Sequence, residues 1–106
     1  MTEAVLDVEQ LPDSTMRITI RGEIDLSNVA AVEQNMLDTI SNQLSEVVVD
    51  LSAVTYVDSA GLRVLFTLGT RLEALQIRFR LVVPLGSPPR RVIELSGIGS
   101  VAVVQP

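Results

Sequence analysis

Two hydrophobic rhythms run along the chain, and together they predict its elements. Met16, Ile18 and Ile20 alternate with Arg17, Thr19 and Arg21, the two-residue period of a half-buried strand, here over residues 16–24. Residues 3–9 read as an earlier strand and LPDST at 11–15 as the turn between the two. Ser27 or Asn28 suits a helix N-cap, and Val29, Val32, Met36, Ile40 and Leu44 then recur at helical spacing, predicting a first helix to about Leu44. Residues 46–51 hold VVVDL, β-branched and without alternation, as expected of a central strand covered on both faces. From Ser59 to about Leu75 the helical period returns. Leu62, Leu65, Phe66, Leu68, Leu72 and Leu75 share one arc, with Arg63, Thr67, Thr70 and Arg71 opposite. Ile77, Phe79, Leu81 and Val83 alternate with Arg78 and Arg80 in a fourth strand with a solvated face. Ser87 and Pro88 look like the N-cap and first position of a short helix over 88–96 stopped by Gly97, and residues 101–104 form a last strand.

The order β-β-α-β-α-β-α-β predicts an α/β fold, a mixed sheet whose helices link parallel neighbours by right-handed crossovers. Functional residues in such open sheets lie beyond the carboxyl ends of strands. That singles out Asp25, after the second strand, and Asp58 with Ser59, after the third. No repeat, low-complexity tract or linker-like segment before Pro84 divides the chain, so its 106 residues are expected to form one domain, 1–106.

Composition narrows the functions. Aromatics are only 3% of the chain, which disfavours base stacking, and a net charge of −5 disfavours nucleic acid and anionic lipid surfaces. No apolar run approaches the roughly 20 residues that span a bilayer, and MTEAVLDVEQ lacks the features of a signal peptide, so a cytoplasmic protein is expected. The absence of cysteine fits a reducing compartment and removes disulfides and thiolate metal sites. All eight basic residues are arginines; lysine and histidine are absent.

These absences bear on the stretch YVDSAGLRVLF, at residues 56–66. Ser59 sits on a strand-to-helix turn, as a hydrolase nucleophile does, but the elbow pattern G-x-S-x-G needs glycine where this chain has Val57, and the triad needs a histidine. An unassisted hydroxyl is a weak nucleophile. Without lysine there is no P-loop and no Ser-Lys dyad. Asp50 reads most simply as a polar strand terminus or turn residue rather than a phospho-acceptor. Asp25 and Asp58 are too small a carboxylate set to indicate Mg²⁺, and no cofactor is expected. The bland reading of D-S-A-G is a helix cap, from Asp58 or Ser59, worth about 1 kcal/mol. A cap does not account for Gly61, since glycine inside a helix costs roughly 1 kcal/mol against alanine. It implies close approach of another backbone or of a partner.

GEIDLSN at 22–28, VVVDLSAVTYVDSAGL at 47–62 and, more weakly, RRVIELSGI at 90–98, in this order, resemble the single-domain anti-sigma factor antagonists, built on the STAS domain shared with sulfate transporter tails. The resemblance covers nearly the whole chain. It implies a STAS-like fold and a non-enzymatic partner switch in transcription regulation. An anti-sigma factor that is also a serine kinase phosphorylates the serine after the loop aspartate, here Ser59. The unphosphorylated antagonist binds the anti-sigma factor and frees the sigma factor, and the phosphorylated form is released. Asp25 matches a position used beside that serine; Asp58, Gly61 and Arg63 complete the implied partner-binding set. Ala60 departs from the many relatives with a second hydroxyl there, leaving Ser59 the one acceptor in the loop. A monomer is the default expectation. The alternative is a constitutive STAS subunit of a lipid or anion transport complex, in which Ser59 touches a partner unmodified.

Overall fold

A computed structural model describes residues 3–106. It contains a five-stranded sheet in the order β1-β2-β3-β4-β5. The strands are β1 (Ala4–Leu11), β2 (Thr15–Ile24), β3 (Glu46–Val57), β4 (Arg78–Val82) and β5 (Val103–Gln105); the helices are α1 (Val29–Asp38), α2 (Ser59–Ala74) and α3 (Arg90–Ser96), followed by a 3-10 turn, Ile98–Ser100. β1 pairs antiparallel with β2, and all later neighbours are parallel. The mixed α/β sheet and the element order agree with the sequence reading.

The hydrophobic face of the sheet is made by alternation. Met16 lies opposite Val47, which lies opposite Phe79, and Ile18, Val49 and Leu81 form the next row; all six are buried. Val32 and Met36 of α1 and Val64, Leu65, Leu68 and Leu72 of α2 complete the core against them. Leu75, expected on the same arc, lies at the helix C-cap and is 37% exposed, while Val64 takes a core place that the sequence reading left out.

β3 departs from its expectation in length and in what covers it. It runs to Val57, well past residue 51, and pairs with β4 only from Glu46 to Asp50. Its register with β2 slips between Thr19 and Arg21 and again between Gly22 and Glu23, with one extra residue on β3 each time. The bulges turn Leu51, Val54 and Val57 inward at a spacing of three, so the segment loses the two-residue signature of a strand. β3 is central as predicted, but its second face is lined by charged side chains. Glu46 and Asp50 are buried there under arginines of the neighbouring strands. Arg80 Nε donates to Glu46 Oε2 at 2.8 Å, and Arg17 is ion-paired with Asp50. Asp50 is therefore neither a strand terminus nor a turn residue but lies within β3.

α1 also differs, ending at Asp38 with Thr39 as its C-cap. Ile40 and Leu44 keep helical spacing in the sequence yet pack on the core from the following loop. α3 begins at Arg90 rather than residue 88, because a turn in which Ser87 N donates to the Pro84 carbonyl precedes it; Gly97 stops it in the left-handed region, at φ 79°.

Candidate functional site

Two loops meet where β2 and β3 end. β2 delivers Asp25 and β3 delivers Asp58 and Ser59, the carboxyl-edge positions expected of an open sheet. Asp58 N donates to the Ile24 carbonyl at 3.2 Å, joining the strand ends. The Asp58 carboxylate then ties three pieces together. Its Oδ1 accepts from Gly61 N at 3.0 Å, which makes Asp58 the N-cap of α2, and its Oδ2 accepts from Leu26 N at 3.1 Å. Of the two capping candidates, the aspartate does the work. Ser59 is left at the first helical position, exposed and outside the cap hydrogen bonds.

The β2–α1 loop is stiffened by its own polar groups. Asp25 Oδ1 accepts from Ser27 N at 2.9 Å and from Ser27 Oγ at 2.6 Å, while Asn28 Oδ1 accepts from Asp25 N and Asn28 Nδ2 donates to the Glu23 carbonyl. Asn28 holds the N-cap position of α1 but its side chain braces the loop instead of capping. Asp25 and Ser59 are thus each one residue from the Leu26–Asp58 hydrogen bond, which places both loops of the predicted site side by side.

Gly61 is buried, and its reason is packing. A Cβ there would stand 2.9 Å from Val57 Cγ1 and 3.1 Å from the Ile24 carbonyl oxygen. α2 can therefore start directly on the joined strand ends. Two turns on, a Cβ at Gly69 would meet Val101 Cγ2 at 2.6 Å. These two glycines seat α2 on the sheet, and their spacing of eight is a signal the sequence reading passed over at Gly69. Arg63 is exposed one turn into α2 and forms no ion pair among the described residues. Leu26 at 78% and Tyr56 at 51% exposure flank the loops with apolar surface that was not singled out beforehand. Asp50 stands apart. Burial pushes its pKa up, but the Ser52 hydroxyl and amide and the Arg17 guanidinium outweigh burial and hold it below the ordinary value of 3.8.

With this geometry in view, the STAS domain family model matches residues 6–104. The chain belongs to the STAS domain family. An anti-sigma-F factor antagonist, RsfB of Mycobacterium tuberculosis, is 36% identical over 81 residues, which are 76% of this STAS chain and 65% of the relative, slightly under two thirds of its length. An anti-sigma factor antagonist from Mycobacterium paratuberculosis has the same fold, with a TM-score of 0.86 and 29% identity over 98% of this chain and 86% of that one. The Bacillus cell fate determinant SpoIIAA in its phosphorylated form superposes with a TM-score of 0.70 over 96% of this chain and 92% of its own, at 21% identity, a likeness of fold. No helix among the described residues of this STAS domain is long and apolar enough to cross a membrane.

Proposed function

We propose that this STAS domain is an anti-sigma factor antagonist whose binding is switched by phosphorylation of Ser59. One observation carries the reading: Ser59 is exposed at the first position of α2 while the neighbouring Asp58 performs the capping. Its hydroxyl can be modified without dismantling the helix start. The names of RsfB and the M. paratuberculosis antagonist support the same role, and a relative of the same fold exists in a phosphorylated form.

In the phosphorylation step Ser59 Oγ attacks the γ-phosphorus of ATP, the bond to the ADP oxygen breaks, and the hydroxyl proton passes to a base on the kinase. Both Asp58 carboxylate oxygens are already engaged by backbone amides, and the chain has no histidine or lysine, so the kinase supplies that base. The phosphate adds about −1.5 to −2 charges at the N-terminus of α2, which favours anions by about 0.3–1 kcal/mol at an exposed site, so the fold tolerates it. An interface does not. Covering Leu26, Tyr56 and Ser59 with a partner would desolvate the phosphate beside Asp58 and close to Asp25, at a cost of several kcal/mol.

Incubation with a kinase-type anti-sigma factor and ATP, followed by peptide mass mapping, tests the site. Modification at Ser59, abolished in Ser59→Ala, is the expected result. Modification elsewhere, or binding to the partner that is indifferent to phosphate, would instead favour a constitutive STAS subunit.

A further inference from the structure

Beside α2, on the flank turned to α1, lies a groove of about 530 Å³. Leu37 of α1 and Phe66 and Ala74 of α2 give it apolar walls, and Arg63 and Arg71 line it about two turns apart with Thr67 and Thr70 between them. The arginines are unusual within this molecule. Five of its eight are ion-paired with carboxylates, namely Arg17, Arg21, Arg78, Arg80 and Arg90. Arg63, Arg71 and Arg91 have no such partner among the described residues, although the chain carries 13 acidic residues, and of these three Arg63 and Arg71 line the groove. The acids of the same helices leave them alone: Asp38 accepts from Gln34, Glu73 lines a different cavity beside β4, and Glu33 is in no ion pair among the described residues. In an acidic protein, an apolar trough flanked by two guanidinium groups without ion-pair partners is complementary to an apolar stripe bordered by carboxylates.

We propose that this groove docks an acidic amphipathic helix of a protein partner. From Arg63 to Ala74 the trough runs about 16 Å, the length of three helical turns, which suits anchors at i, i+3 or i+4, and i+7. The carboxylates of the incoming helix pair with Arg63 and Arg71 at the rim while its apolar anchors cover Leu37 and Phe66. The site goes beyond the Ser59 switch and does not need the serine to be modified. It lies along α2 from the phosphorylation loop, so a single partner can engage both.

The test uses the full chain, ¹⁵N-labelled, titrated with a designed peptide of about 15 residues having Leu at i, i+3 and i+7 and Glu on the flanks, against a control with Lys for Glu. Saturable amide shifts at Leu37, Phe66, Thr67, Thr70 and Ala74 are expected for the acidic peptide alone. The variant Arg63→Glu/Arg71→Gln should weaken it about fivefold or more. Those substitutions suit the dipole of α2 at its start and are neutral at its end, and a melting curve confirms folding. Four results would overturn the proposal. They are no saturable shifts up to about 1 mM peptide, equal affinity for the Lys peptide, a dimer by sedimentation that buries the groove, or binding to phosphatidylserine vesicles that the double variant abolishes. Ser59→Ala should leave peptide binding unchanged, so failure here and failure of the phosphorylation reading are separable.

Discussion

Replacing Asp58 with alanine should loosen the junction on which the whole site depends. The carboxylate accepts from Gly61 N at 3.0 Å and Leu26 N at 3.1 Å, so Asp58→Ala removes a helix cap and the bond between the loops together. Loss of an N-cap costs about 1 kcal/mol, and loss of the anion at the start of α2 roughly another 0.5 kcal/mol. The Leu26 amide is in an exposed bond that water can replace, adding about 0.5 kcal/mol. The sum is about 2 kcal/mol, which for a domain of this size lowers the melting temperature by roughly 10 °C. Asparagine caps nearly as well but offers one acceptor oxygen, so Asp58→Asn should lose about half as much. Ser59→Ala, whose hydroxyl is outside the cap hydrogen bonds, should stay within about 0.5 kcal/mol of the parent. Urea unfolding gives the three stabilities, and amide exchange at Leu26 and Gly61 reports the two bonds directly. An Asp58→Ala protein as stable as the parent, or an Asn variant as damaged as the Ala one, would refute this account of the junction.

Three further outcomes follow from the packing, the buried acid and the groove. Gly61→Ala puts a Cβ 2.9 Å from Val57 Cγ1 and Gly69→Ala puts one 2.6 Å from Val101 Cγ2; overpacking of about 1–3 kcal/mol should outweigh the helix-propensity gain of about 1 kcal/mol, so urea midpoints fall in both. Asp50 has a folded pKa below its ordinary 3.8, so the unfolded chain takes up its proton first on acidification. Its contribution is complete well above 3.8 and drains away as pH falls toward the folded value; Asp50→Asn should flatten that acid limb in stability measured against pH. Arg63→Glu/Arg71→Gln should weaken the acidic helical peptide about fivefold or more, read by titration.

The residues explain which parts of the molecule were legible beforehand. β2 and β4 alternate cleanly because one face of each packs on the helices, and α2 carries its leucines at helical spacing, so these elements stand out in the sequence. The outer half of β3 does not, because two bulges convert its period from two to three and leave Ser52, Ala53, Thr55 and Tyr56 exposed between buried Leu51, Val54 and Val57. α1 reads too long because Ile40 and Leu44 bury side chains from a loop, where apolar spacing cannot report backbone state. At the site, the aspartate, serine and glycine of D-S-A-G were visible as residue types. The division of labour was not, since whether Asp58 or Ser59 caps depends on β3 delivering Asp58 with its carboxylate between two amides. The role of Asp50 is hidden in the sequence for the same reason: its partner Arg17 is 33 residues away in sequence and adjacent only across the sheet.

The central claim is that a charge added at Ser59 disables a binding surface while leaving the fold intact. Isothermal titration of a kinase-type anti-sigma factor with the STAS domain, before and after stoichiometric phosphorylation at Ser59, addresses it directly. Desolvation of the phosphate beside Asp58 predicts a loss of affinity of about two to three orders of magnitude with an unchanged melting curve, because each 1.4 kcal/mol is about tenfold. Equal affinity in the two forms, or a phosphorylated protein that has simply unfolded, would contradict it.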